Sequence, residues 1–244
     1  MFFQTSCLPT QTGYTFDMEN TDYNYRNFKA KYYNFDAFPG PKPGEKAVDF
    51  SAQKLSGDEV RLSDYFGRPI VMEAGSITCP VFCGKVGKMN ELAQKYPEVN
   101  FLVLYVREAH PGVKIGPHAS LEEKTEVAKR LKEELQDNRE ILVDDVDGTA
   151  HTMYGLFPDS IYIIDKDSTV IYRAVWNNIR HVDEILESLQ KGIKPRMRES
   201  HRFINAPMPS LGRFAYGGYD AVIDFIKAFP GLILERFKKK NGKN

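Results

Sequence analysis

The sequence predicts an α/β fold built on a mixed central sheet. Three observations predict it: short apolar strands alternate with helical repeats, a strand runs straight into a proline-opened helix at Cys79, and a late apolar pair flanks a polar turn. At 244 residues the chain is long enough for one full core with extensions at both ends. The divisions read as an aromatic arm and linker over 1–44, an α/β domain over 45–192 and an extension over 193–244.

The arm is rich in Tyr, Asn, Phe and Asp, as in Asp22-Tyr23-Asn24-Tyr25 and Lys31-Tyr32-Tyr33-Asn34-Phe35. So many aromatics argue against pure disorder and for rings packed on the body. Pro39-Gly40-Pro41-Lys42-Pro43-Gly44 ends the arm as a linker. The body opens with Val48 to Ala52 and Val60 to Leu62 about the turn Ser56-Gly57-Asp58, a hairpin pattern. Ile70 to Ala74 is a strand, followed by a helical stripe of Val86, Met89, Leu92, Ala93 and Tyr96. Phe101 to Val106 is apolar on both faces, as at a sheet centre. Ser120 and Glu123 form a capping box opening a helix with Leu121, Thr125, Ala128, Leu131 and Leu135 on one face. Ile141 to Val143 is a third strand, Ile161 to Ile164 and Val170 to Arg173 pair around Lys166-Asp167-Ser168, and a helix over 181–191 closes the body. This order, with antiparallel strands at one edge, is the thioredoxin-like layout of a three-layer sandwich. In the extension, Tyr219 to Phe229 forms an amphipathic helix that Pro230-Gly231 breaks, ahead of basic Arg236 and Lys238 to Lys240. It suits docking on the body or a second subunit, so a homodimer is compatible with it; a membrane-surface role is the lesser reading.

Composition narrows the function. Lys plus Arg and Asp plus Glu both number 33, so no net field recruits nucleic acid. Three cysteines cannot make a disulfide framework, the start lacks a signal-peptide pattern, and no apolar run approaches the roughly 20 residues that span a bilayer. A soluble cytoplasmic protein, without membrane association, is expected.

The chemistry centres on Cys79. Pro80 suits the first helical position, which makes Cys79 the N-cap, where free N–H groups and the helix dipole favour a thiolate. Cys83, one turn on, is placed to resolve an oxidised Cys79; equally, Cys79 acts alone and external thiols regenerate it. Cys7 reads as incidental. Gly84 and Gly87 interrupt a helix at some cost, for tight packing or a ligand. His110 follows the central strand at the same sheet end, as a general acid or thiolate partner with Glu108 to orient it, and His118 is a further candidate of that kind.

Ser76-Ile77-Thr78-Cys79-Pro80-Val81-Phe82, the strand with Glu108-Ala109-His110-Pro111, the run Ile141 to Asp147, and Tyr154-Gly155-Leu156-Phe157-Pro158-Asp159-Ser160-Ile161 come in one order over residues 45 to 190. Together they resemble the iodothyronine deiodinases, within the wider redoxin and peroxiredoxin class. The resemblance implies that Cys79 holds the place of the family's selenocysteine, and that Glu108 and His110 match its Glu-Ala-His motif. His118 matches a further active-site histidine, and Ser76, Thr78, His118 and Pro158 contact substrate. It implies reductive dehalogenation of an aromatic iodide, with no bound cofactor or metal and with an external thiol reductant such as thioredoxin or glutathione. The chain departs from the family in using sulfur for selenium, in lacking a segment that reads as its amino-terminal membrane anchor, and in placing Ser160 where the family carries Arg.

Three other readings stay open. In a thiol peroxidase, Cys79 would form a sulfenic acid that condenses with Cys83; the peroxiredoxin loop has Pro and Thr where this chain has Met72 and Ser76, and its late Arg is missing at Asp159 or Ser160. A disulfide reductase normally spaces its cysteines by two residues rather than three. A non-enzymatic reading has the arm and tail serve binding.

Overall fold

The computed structural model describes residues 23–33, 37–200 and 216–241, and no side chains beyond residue 231. The expectations for Cys7, for Asn34-Phe35 and for the segment up to Pro209 fall wholly or partly outside these residues.

One eight-stranded sheet organises the described chain. Its strands are β1 (Ser51–Lys54), β2 (Glu59–Arg61), β3 (Ile70–Gly75), β4 (Asn100–Tyr105), β5 (Glu140–Val143), β6 (Ile161–Ile164), β7 (Val170–Ala174) and β8 (Arg198–Ser200), in the order β2-β1-β5-β4-β3-β6-β7-β8. β5, β4 and β3 are parallel, with Val71 opposite Phe101 and Tyr105 opposite Val143. β6 runs antiparallel to β3, and β1 antiparallel to β5. Antiparallel strands therefore flank the parallel centre on both sides rather than one, because the first hairpin pairs back onto β5.

The helices are α1 (Pro80–Cys83), α2 (Val86–Lys95), α3 (Leu121–Leu135), α4 (Thr149–Met153), α5 (Ile179–Gln190) and α6 (Tyr219–Asn241). Strand alternation divides the core. Val71, Phe101, Val103, Tyr105, Ile141 and Ile161 pack with residues of α1, α2, α3 and α5 on one face. Met72, Leu102, Leu104, Leu142 and Tyr162 point to the other face, where Phe28, Tyr33 and Phe38 join Phe50, Tyr154 and Phe157, and Phe225 of α6 packs against them. The aromatics of the arm thus supply the third layer of a thioredoxin-like sandwich. Tyr23 requires Gly148 beneath it: a Cβ there would lie 2.0 Å from the ring, and the residue has φ +74°.

Several elements differ from the sequence reading. The helix after Cys79 is broken into α1 and α2 at Gly84 and Lys85, whereas a Cβ at Gly87 would meet only open space, so tight packing does not explain that glycine. Ser120 caps α3 by accepting from Glu123 N at 3.2 Å, but Glu123 Oε2 accepts from Ala119 N at 2.8 Å rather than from Ser120. The short α4 and β8 lack enough periodic residues to stand out. Pro230 does not end α6, which continues to Asn241. Proline deletes one intrahelical hydrogen bond and strains one turn, and here the turns on both sides persist. Among the described residues no helix is long and apolar enough to cross a membrane.

Candidate active site

The site lies at the carboxyl ends of β3 and β4, joined where Val106 N donates to Gly75 O at 3.0 Å. Gly75 is needed for close approach, since a Cβ would meet the Phe82 ring at 2.3 Å. The loop then turns through Ser76, Ile77 and Thr78, with Cys79 N donating to Ser76 O at 3.0 Å. Cys79 is the N-cap of α1 with extended backbone, φ −86° and ψ 106°, and Pro80 occupies the first helical turn, as its preference dictates.

The sulfur's ionisation departs from expectation. Cys79 is 2 % exposed, and burial pushes its thiol up to about 12, with Asp159 adding to the rise. The N–H groups of Phe82 and Val81 at the start of α1 and the charge of Lys85 oppose this without reversing it. The helix start favours the thiolate, but desolvation outweighs four residues of helix, and the closed site holds a thiol. Cys83 is also buried and outside any disulfide, and its Sγ donates to Ile77 O at 3.1 Å.

Glu108 is the hub of the loop. Its Oε2 accepts from Thr78 N at 3.1 Å and from Thr78 Oγ1 at 2.5 Å; its Oε1 accepts from the Tyr105 hydroxyl and faces His118 Nε2 at 3.0 Å. Burial raises this carboxyl, but the hydrogen bonds and charge of His118 and the bonds from Thr78 and Tyr105 outweigh it and hold Glu108 below its ordinary value. The backbone is tied in as well: Ala109 N donates to Ser76 Oγ at 3.1 Å and His110 N to Thr78 Oγ1 at 3.2 Å.

Two sequence expectations change here. Glu108 holds His118 and not His110, which promotes His118 from a secondary candidate to the centre of the network. His110 does not titrate near neutrality, because burial pushes it down to about 3 among the Phe28 and Phe225 rings, 4.4 and 5.7 Å away. Pro158 is buried in the loop before β6, beside Asp159, and Ser160 Oγ donates to Phe157 O at 3.1 Å. Ser76 Oγ as an acceptor, and Thr78 Oγ1 as both acceptor and donor, brace the loop.

Sequence reasoning missed Tyr105, whose place in an apolar strand hid its hydroxyl. It also missed Arg107, which is buried with its guanidinium 5.0, 4.8 and 5.4 Å from the rings of Tyr23, Tyr25 and Tyr33. Tyr25 donates to Ala109 O at 2.9 Å and lies 2.7 Å from the Tyr33 hydroxyl. The arm therefore lies directly over the Glu108 to His110 segment. Among the described residues no group of His, Cys, Asp or Glu could hold a metal ion.

Comparisons with known proteins bear on this arrangement. A family model described as iodothyronine deiodinase matches residues 12–191. The chain is 29 % identical over 142 residues to the type I iodothyronine deiodinase of Xenopus laevis, covering 54 % of this chain and 56 % of that protein. It is 30 % identical over 117 residues to the thyroxine 5-deiodinase of Ovis aries, covering 44 % and 39 % respectively. The match spans about half the length of such curated relatives, or less. Among solved structures, an uncharacterized conserved protein from Geobacillus kaustophilus aligns with TM-score 0.53 and 20 % identity over 68 % of this chain and 89 % of its own. A hypothetical protein from Sinorhizobium meliloti 1021 also aligns at 0.53, with 13 % identity over 66 % and 93 %. These two share the fold. With the family model covering residues 12–191, and with the cysteine loop and the Glu-Ala-His segment meeting at one sheet end, the chain belongs to the iodothyronine deiodinase family.

Proposed function

We propose that the chain is a thiol-dependent oxidoreductase that removes iodine reductively from an aromatic substrate, with Cys79 as the nucleophile. The observation that carries this reading is the continuous chain of hydrogen bonds from His118 through Glu108 to Thr78, the neighbour of Cys79. A buried sulfur on the residue that opens a helix, beside a route for protons, meets the two needs of the reaction.

The Cys79 thiolate attacks iodine along the carbon–iodine axis. An S–I bond forms as the C–I bond breaks, the electron pair stays on the ring carbon, and a proton delivered to that carbon gives the reduced arene. An external thiol then attacks the sulfur and releases iodide, and a second thiol frees Cys79 as the pair leaves as a disulfide. Glu108, held ionised, accepts hydrogen bonds from both the Thr78 hydroxyl and the Tyr105 hydroxyl, so a proton entering at His118 can cross to the loop by exchange along them. His110, neutral in the closed site, serves as a hydrogen-bonding wall for the substrate. Thioredoxin, glutathione or a similar thiol in the cytoplasm would supply the reductant.

A second reading, a thiol peroxidase or thiol-disulfide oxidoreductase with Cys83 as resolving thiol, draws on the placement of two free thiols at either end of α1. One assay separates the two: purified protein with dithiothreitol, offered iodinated tyrosine or thyronine and, separately, hydrogen peroxide. Iodide release from the aromatic substrate supports dehalogenation. Peroxide consumption without iodide release transfers the assignment to the second reading.

A further inference from the structure

α6 has two apolar faces, and the body uses one of them. Ala221 is fully buried, and Phe225 and Ala228, at helical spacing from it, pack on the core that holds Phe28 and Tyr33. Polar contacts fix the same helix in place: Asn27 Nδ2 donates to Asp224 Oδ2 at 2.7 Å, and Val113 N donates to Asp220 Oδ1 at 3.1 Å. Away from the body, Tyr219, Ile223, Ile226 and Phe229 recur at the same spacing and are exposed, Tyr219 by 71 % and Ile226 by 62 %. The loop after β4 adds Val113, 64 % exposed, whose Cγ2 would lie 2.9 Å from a Cβ on Gly218, the residue before the helix. Five of the eight large apolar side chains exposed among the described residues therefore gather along α6. Single exposed apolar residues are ordinary, whereas a clustered set marks a surface that meets something.

Charge identifies what it meets. From Lys227 to the last residue the sequence holds six Lys and Arg against one Glu, a net charge of +5 in a chain whose total is zero. A helix break at Pro230 would separate this basic end from the apolar stripe. α6 instead runs to Asn241, so both belong to one helix, and the spacing of the stripe continues in its sequence at Ile233 and Phe237. Protein interfaces are depleted in lysine. An apolar stripe that runs into clustered lysines is the pattern of a helix lying in the headgroup plane of an anionic bilayer.

We propose that the outer face of α6 docks on an anionic lipid surface, with Tyr219, Ile223, Ile226 and Phe229 entering the boundary between headgroups and acyl chains and the basic end drawn to the anionic headgroups. The apolar side chains supply the burial, and the lysines make the association depend on salt. Among the described residues no helix is long and apolar enough to span, so α6 lies on the bilayer. Its inner face keeps the Phe225 ring 5.7 Å from the His110 imidazole, so the helix stands between the bilayer and the segment that follows β4.

The test is co-sedimentation of the full chain with phosphatidylcholine vesicles that contain phosphatidylserine, against vesicles of phosphatidylcholine alone. Wild type is expected to pellet with the anionic vesicles, and to bind at least about tenfold more weakly to the neutral ones or at high salt. Ile223→Gln with Ile226→Gln changes only exposed positions, and is expected to lower binding to the anionic vesicles by about tenfold or more at unchanged thermal stability. Lys238→Gln, Lys239→Gln and Lys240→Gln together are expected to lower it roughly a hundredfold and to flatten its salt dependence, since each lysine near an anionic surface contributes about fivefold. Absence of wild type from the anionic pellet, or binding undiminished by the isoleucine changes, would overturn the proposal. A wild-type dimer that the isoleucine changes dissociate in sedimentation equilibrium, without vesicle binding by wild type, would overturn it too and assign the stripe to a second copy of the chain.

Discussion

The Phe28 ring packs on the His110 imidazole with centroids 4.4 Å apart, which fastens the amino-terminal arm to the segment that follows β4. Phe225 of α6 reaches the same imidazole, and Asn27 Nδ2 donates to Asp224 Oδ2 at 2.7 Å, so arm and tail close over one place. Cys79 is buried, and its charge would add to the rise of the Tyr25 and Tyr33 hydroxyls in the same arm.

Loosening that cover should expose the sulfur. Phe28→Ala and Phe225→Ala each remove a ring from the His110 contact, and Cys79 should then alkylate roughly tenfold faster at fixed pH, an opening of about 1.4 kcal/mol. Labelling rates followed by mass spectrometry check this; rates equal to wild type would show that reagents reach Cys79 by another route.

Glu108→Gln should destabilise the fold by about 1–3 kcal/mol, because the amide cannot accept from all of Thr78, Tyr105 and His118 at once. Urea denaturation measures it, and iodide release should fall together with stability. A fully stable Gln variant would mean that the hub is not an ionised acceptor.

The pH dependence of stability contains a separable contribution from His110. Its folded value, about 3, lies below the ordinary imidazole value, so its contribution is present above about 6.5 and is lost as pH falls from there towards 3. His110→Phe places a third ring beside Phe28 and Phe225 and removes that loss. The variant should gain on wild type by up to about 1.4 kcal/mol per pH unit on the acid side of 6.5. Asp159 and Asp144, raised to about 7 and about 6, act with opposite sign in both proteins and cancel in the comparison. A pH-independent difference in denaturation midpoint would contradict the buried neutral imidazole.

Gly148→Ala should cost about 1–3 kcal/mol, since the residue has positive φ and its Cβ would enter the Tyr23 ring. Fluorescence-monitored unfolding reads the cost. A neutral substitution would show that Tyr23 does not seat there.

Local signals were legible in the sequence where local rules decide the outcome. Pro80 marks Cys79 as the helix cap, and the apolar run Phe101 to Val106 marks the sheet centre. The loop and the Glu-Ala-His segment were readable because each sits at a strand end. The partners were not readable. Glu108 and His118, ten positions apart, meet only because the chain between them folds back, and Lys85 meets Asp159 74 positions on. The thiolate expectation fails for a related reason: a helix start is written in four residues, whereas the burial that overrides it comes from residues far apart in the chain, Val103 and Tyr105 of β4, Ile141 of β5 and Ala128 and Leu131 of α3 among them. Pro230 is the opposite case: a local breaker predicts a boundary, and the flanking turns override it.

The role of Cys79 is tested most directly by turnover of the Cys79→Ser chain. With dithiothreitol and an iodinated thyronine, wild type should release iodide in proportion to enzyme, Cys83→Ser should retain that release with an altered preference among reductants, and Cys79→Ser should release none. Iodide release by Cys79→Ser equal to that of wild type would contradict the assignment of the nucleophile.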